Sequence, residues 1–196
     1  MAVHDQPLPD TDAAPAASHA RDAEIADHIR THHASMVADL DRLSETLRDA
    51  TAPDQERART ALQDWFRNVL VPHADEEEAT TYRAAAELSE GRLLIAAMVR
   101  EHVLIKRLVA LVGDSDVTSA AAYGRAVFEA FSSHQAKEND VVLPLLVDAP
   151  GVSLAHVMGD EHGHQLGEHH HHAGPPSRSS TTSPARWTSR NDEPGV

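Results

Sequence analysis

Six side chains able to bind a cation, His33, His73, Glu77, His102, His134 and Glu138, occur in this 196-residue sequence where the surrounding periodicity asks for apolar residues. His73 with Glu77, and His134 with Glu138, share the spacing His-x-x-x-Glu. Residues four apart on a helix lie on one face about 6 Å apart along its axis, so each pair can aim a nitrogen and an oxygen at one point. His33 and His102 stand singly. Apolar residues follow them at matching offsets, Met36, Leu40 and Leu43 after the first and Ile105, Val109 and Val112 after the second. The chain thus reads as two helix pairs, each joining a helix with one inward histidine to a helix with His-x-x-x-Glu.

Taken one at a time these residues carry little information. A single histidine on an apolar stripe is ordinarily a hydrogen-bonded core residue, and a single His-x-x-x-Glu pair is ordinarily a solvated surface contact. Their joint occurrence changes the balance, because ionised glutamates buried without a cation carry a large desolvation cost. Four imidazoles and two carboxylates exceed what one tetrahedral zinc takes. Two ions of octahedral preference, bridged by the carboxylates, can share them and keep open positions.

The elements that must position these groups follow from the same periodicity. Ile25, Ile29, His33, Met36, Leu40, Leu43 and Leu47 recur at steps of four and three, which predicts a helix over 21–50. A second helix is predicted over 53–89, with Thr51 as its cap, Pro53 in its first turn and an inner stripe Leu62, Phe66, Val69, His73, Glu77 and Thr80. Pro72 should bend it just before His73. Gly91 marks a break. The third helix, 92–112, carries Ile95, Met98, His102, Ile105, Val109 and Val112, with Gly113 suited to a terminal cap. The fourth, 116–147, starts from Ser115 and carries Val127, Phe131, His134, Glu138, Val141 and Leu145. Short connections make neighbours antiparallel, so the fold expected is an all-α, up-down-up-down four-helix bundle. Around this unit of residues 21–150, residues 1–20 read as a disordered arm, 151–172 as a histidine-rich extension with a short helical piece near 152–158, and 173–196 as a disordered tail.

Composition narrows the function classes. A formal net charge of −14 with no basic stripe argues against nucleic acid as a partner. The absence of cysteine removes disulfides, thiolate nucleophiles and sulfur ligands, leaving nitrogen and oxygen donors for any metal. No apolar run reaches the ~18 residues of a membrane helix, and the first residues lack a signal-peptide pattern, so a cytoplasmic protein without membrane contact is expected. The cluster of His156, His162, His164 and His169 to His172 reads equally as a gatherer of divalent metal and as a tolerated low-complexity segment.

The residues H33…H73-A-D-E-E77…E101-H102…H134-Q-A-K-E138, followed by V-V-L-P144-L, resemble the hemerythrin-like, or HHE cation-binding, family over about residues 21–150. The resemblance implies a non-haem di-iron centre. His73, Glu77, His134 and Glu138 match the family's paired ligands, His33 and His102 its single ones, and Glu77 and Glu138 would bridge. Oxygen carriers of the family have a second histidine on the third helix, where this chain offers Met98 and Lys106. They also place an aspartate five residues after the fourth helix's histidine, where this chain has Asn139. These departures turn the expectation from oxygen carriage toward sensing or redox chemistry with oxygen, nitric oxide or peroxide.

Several readings stay open at this stage. His28 or His32 could supply a further nitrogen, with His32 the alternative to His33, although both also suit a solvated flank. Glu76 and Glu101 suit spare ligands, outer hydrogen-bond acceptors or exposed helix positions. Manganese or zinc could take the place of the two iron ions. Storage or delivery of metal without turnover is the alternative function, and no general acid or base outside the donor set marks the protein as an enzyme. A ferritin-like oxidase would use Glu-x-x-His, the opposite order and a shorter spacing.

Overall fold

The computed structural model describes residues 13–159, which form helices joined by short turns, with no strand among them. Helix α1 spans Ala13–Asp49. It therefore takes in residues 13–20, expected in the disordered arm. Their alanine-rich sequence has high helix propensity, and Pro15 falls in the first turn, where no internal N–H bond is lost. Residues 1–12, and the tail from residue 160 with its histidines from His162 to His172, lie outside the described residues.

The predicted second helix is divided. Helix α2, Gln55–Trp65, runs into a wide turn, Phe66–Leu70, followed by α3, Val71–Ala79, and α4, Thr81–Ala86. The third is the unbroken α5, Gly91–Asp114. The fourth is α6, Val117–Lys137, a second wide turn, Glu138–Val142, and α7, Leu143–Asp148. A short α8, Leu154–Val157, realises the helical piece expected near 152–158. Three expected caps differ. α2 starts after Asp54, which makes no side-chain cap bond, so Thr51 does not cap it and Pro53 precedes its first turn. Gly113 lies inside α5, and Asp116, rather than Ser115, caps α6 by accepting the Ser119 N–H at 3.1 Å.

Both wide turns precede a proline. Pro72 and Pro144 lack an N–H, and their rings clash with the carbonyl four residues back. The chain opens by one residue per turn instead, with Val71 N–H donating to the Phe66 carbonyl and Leu143 N–H to the Glu138 carbonyl. The extra residue moves the inner face on by one. Leu70 and Thr81 are buried where Val69 and Thr80 were expected, and Val142 and Leu146 where Val141 and Leu145 were expected; Val141 is 46% exposed.

α1 packs on α2 and α6, and α5 on α4 and α6. His33 and Asp41 on α1 meet Asn139 and Arg125 at 2.8 and 2.9 Å, so this pair of helical arms runs antiparallel. Arg59 and Asp75 meet Ser115 and Lys106 at 2.9 and 2.7 Å, which makes α2–α3 antiparallel to α5. Gly91 is required where α4 turns into α5: a Cβ there would stand 1.9 Å from the Ala85 carbonyl oxygen.

The core falls into two apolar clusters. One contains Met36, Leu40, Leu62, Phe66, Ile105 and Phe131, the other Ala26, Tyr82, Ile95, Met98, Val142 and Leu146. Along every helix the polar residues singled out above lie between the two. No helix of the described residues is long and apolar enough to cross a membrane.

Candidate metal centre

Between the clusters, α1 supplies His33, α3 His73 and Glu77, α5 His102, α6 His134, and the second wide turn Glu138. All six are brought together. His33, His102, His134, Glu77 and Glu138 are buried, while His73 keeps 14% of its side chain exposed. They form two groups of four: His33, His73, Glu77 and Glu138, and Glu77, His102, His134 and Glu138. Within each group, one nitrogen or oxygen per residue lies within 4.8 Å of all the others. Glu77 and Glu138 belong to both.

The donor layer is incompletely satisfied by protein alone. His73 Nε2 stands 3.0 Å from Glu77 Oε1, but His33 Nε2 and His102 Nε2 approach the Glu77 oxygens only to 3.5 Å, too far for a good hydrogen bond. His33 Nε2, Glu77 Oε2 and Glu138 Oε2 are left buried without a hydrogen-bond partner. An unpartnered buried carboxylate oxygen costs stability in a closed protein and is relieved by a cation. The residues present therefore fit a pair of metal ions, each with nitrogen and carboxylate donors and the two carboxylates in common.

The outer nitrogens are anchored. His33 Nδ1 meets Asn139 Oδ1 at 2.8 Å, His102 Nδ1 meets Glu78 Oε1 at 2.9 Å, and His134 Nδ1 meets Glu101 Oε2 at 3.0 Å. Each partner is an acceptor, so Nδ1 carries a proton and Nε2 is the nitrogen that faces inward. Lys106 sits 3.2 Å from Glu78, and Lys137 2.6 Å from Glu101. Partial burial works against the charge on these two carboxyls, but the lysine and histidine contacts outweigh it and hold both below the usual carboxylate range. Glu101 is thus an outer acceptor. It serves the histidine of α6, although it adjoins His102 in sequence.

Burial would also raise Glu77, yet His102, His33 and His73 around it hold it well below the usual range. The converse applies to two histidines. Burial opposes protonation of His73 and His134, but the facing carboxylates, Glu77 for His73 and Glu138 for His134, win and raise both.

Tyr82 was not foreseen. It is buried at 2% exposure, stacks on His102 with ring centroids 5.2 Å apart, and its hydroxyl lies 3.0 Å from His134 Nε2 while donating to Glu138. Burial, with Glu138 and Glu77 nearby, pushes its hydroxyl far above the ordinary range, so it stays protonated. The break at Thr80, with backbone angles of −120° and −91°, separates α3 from α4 immediately before it. His28 is exposed. His32 is exposed too, with its ring 5.5 Å from that of His73; partial burial and the neighbouring His73 and His33 lower its pKa. Neither joins the two donor groups among the described residues. Glu76 lines the adjoining cavity.

An all-helical domain with a buried layer of histidines and shared carboxylates is a metal-binding fold by its donor chemistry. The family model of the hemerythrin HHE cation binding domain matches residues 24–146, more than half of the 196 residues, and the chain belongs to that family. Neither the curated proteins nor the solved structures gave a match.

Proposed function

We propose that this protein holds two iron ions in an up-down-up-down four-helix bundle and uses them to bind or sense oxygen, nitric oxide or peroxide. The observation that carries the reading is the pair of four-donor groups with Glu77 and Glu138 in common. His33 and His73 would hold one ion, His102 and His134 the other, and the two glutamates both. Iron so held supplies a redox couple and Lewis acidity at positions the protein leaves open.

The chain's own residues add three things. The outer acceptors fix three imidazoles with Nε2 inward. Tyr82 keeps its hydroxyl proton and donates it to Glu138 beside His134, which positions that carboxylate. The two apolar clusters limit water on either side of the donor layer. Such anchoring suits a resident centre better than storage or delivery, which needs donors that release their cargo readily.

Metal analysis of the full chain, with its absorption spectrum, tests the reading. Two irons per chain are expected. Glu77→Ala should lose both ions and His102→Ala one, whatever the tail histidines bind. Equal metal content in wild type and Glu77→Ala would overturn the assignment, and another metal in place of iron would correct its identity.

A further inference from the structure

A cavity of about 260 Å³ adjoins the donor layer. It is lined by the donors His33, His73, Glu77 and Glu138 with Tyr82, by the polar residues His32, Glu76, Thr80 and Thr81, and on an apolar side by Ile29, Val142, Leu143 and Met158. A diatomic molecule needs little more than a water's share of space, roughly 30 Å³, whereas an engineered apolar cavity of about 150 Å³ accepts benzene. The cavity takes in the place of the ion that His33 and His73 would hold, and even so it exceeds what that ion and a diatomic molecule fill. Its shape in chemical terms is a polar end and an apolar body.

We propose that this cavity binds a small neutral organic molecule with a single oxygen head, an alkyl or aryl hydroperoxide or the corresponding alcohol. The assignment deepens the peroxide reading of the centre and rests on it for the hydroperoxide. The head lies toward Tyr82 and Glu138, where the tyrosine oxygen, whose proton goes to Glu138, can accept the head's O–H. The body lies against Ile29, Val142, Leu143 and Met158, which offer dispersion contact and no polar competition.

Met158, on the apolar side, is held in place by a contact that the metal site does not use. Asp22 of α1 is buried at 2% exposure, and its Oδ1 accepts the Ala155 N–H at 3.2 Å and the Ser153 hydroxyl at 3.3 Å. This seats α8 on α1 with Leu154 fully buried, so that Met158, immediately after α8, reaches the cavity.

Titration of 2-phenyl-2-propanol into the metal-loaded full chain, followed by calorimetry and saturation-transfer NMR, tests the assignment. Saturable one-to-one binding with Kd below about 1 mM is expected. The double variant I29A/M158A should weaken it about tenfold through lost apolar contact, and Met158→Trp should block it, both with metal content unchanged. If the loaded chain binds no probe, or if both variants bind it as wild type does, the cavity assignment is overturned while the metal reading stands. If the chain carries no metal yet binds the probe in this variant-sensitive way, the cavity stands as an alcohol site and the metal reading falls.

Discussion

Glu101 is next to His102 in sequence but accepts from His134 across the interface between α5 and α6, with Lys137 holding its other oxygen. Glu78 of α3 likewise accepts from His102 of α5, with Lys106 donating to the same oxygen, Oε1. These carboxylates orient imidazoles rather than bind a cation. Changing Glu101 or Glu78 to glutamine keeps an acceptor but removes the charge that the lysine and imidazole share, so metal affinity should fall about 10–100-fold with the fold intact. Competition against a chelator of known affinity measures this, and unchanged affinity in both variants would mean that the outer contacts orient nothing. That the six inner residues share one interior layer was legible in the sequence because each interrupts an apolar stripe at helical spacing. Asn139 was legible only as a departure from the family pattern; in the structure it anchors His33 instead of ligating. Glu78 follows Glu77 and looks like solvated helix surface. Tyr82 could not be placed from local pattern, because its direction depends on the break at Thr80.

At the scale of the elements, the second and fourth predicted helices failed in the same place and for the same reason. A single 3.6-residue period was carried through Pro72 and Pro144, whereas each proline forces a wide turn just before it and slides the inner face one residue onward. Of the two prolines, only Pro72 was expected to bend the chain near the site. The fold class was nonetheless readable, since a one-residue slip changes which valine or leucine is buried without changing which helix packs on which. The contact between α1 and α8 was not readable. Asp22 sits in the amphipathic pattern as one more acidic residue, and its burial follows from a segment more than 130 positions later in the chain. Replacing Asp22 with alanine leaves the Ala155 N–H without its acceptor, a cost of about 1–3 kcal/mol, and with it about 2–4 °C of melting temperature per kcal/mol for a chain of this size. Hydrogen exchange should locate the loss in α8 rather than across the bundle. Protection that falls evenly along α1, α5 and α6 would show Asp22 to be a general core residue and not the seat of α8.

Over the whole molecule, a donor layer lies between two apolar clusters, and its stability must depend on what satisfies it. In the metal-free protein His73 and His134 bind protons more readily than the ordinary value near 6.5 because carboxylates face them. A pKa raised by folding stabilises the metal-free state fully below about 6.5, and that contribution disappears as pH climbs through the raised value. The loaded state needs both imidazoles neutral, so metal must displace those protons and binds more weakly as pH falls. The two trends run in opposite directions. Metal should therefore add least to the melting temperature at about pH 6 and most at about pH 8. Free metal at a thousand times Kd adds about 4 kcal/mol per site, on the order of 10 °C per ion for a domain of this length. Scanning calorimetry of loaded and chelator-treated protein at both pH values, with Glu77→Ala beside them, measures the difference. An increment that stays the same at both pH values, or persists in Glu77→Ala, would place the stabilising metal on other histidines, and the layer between the clusters would then be held by hydrogen bonds alone.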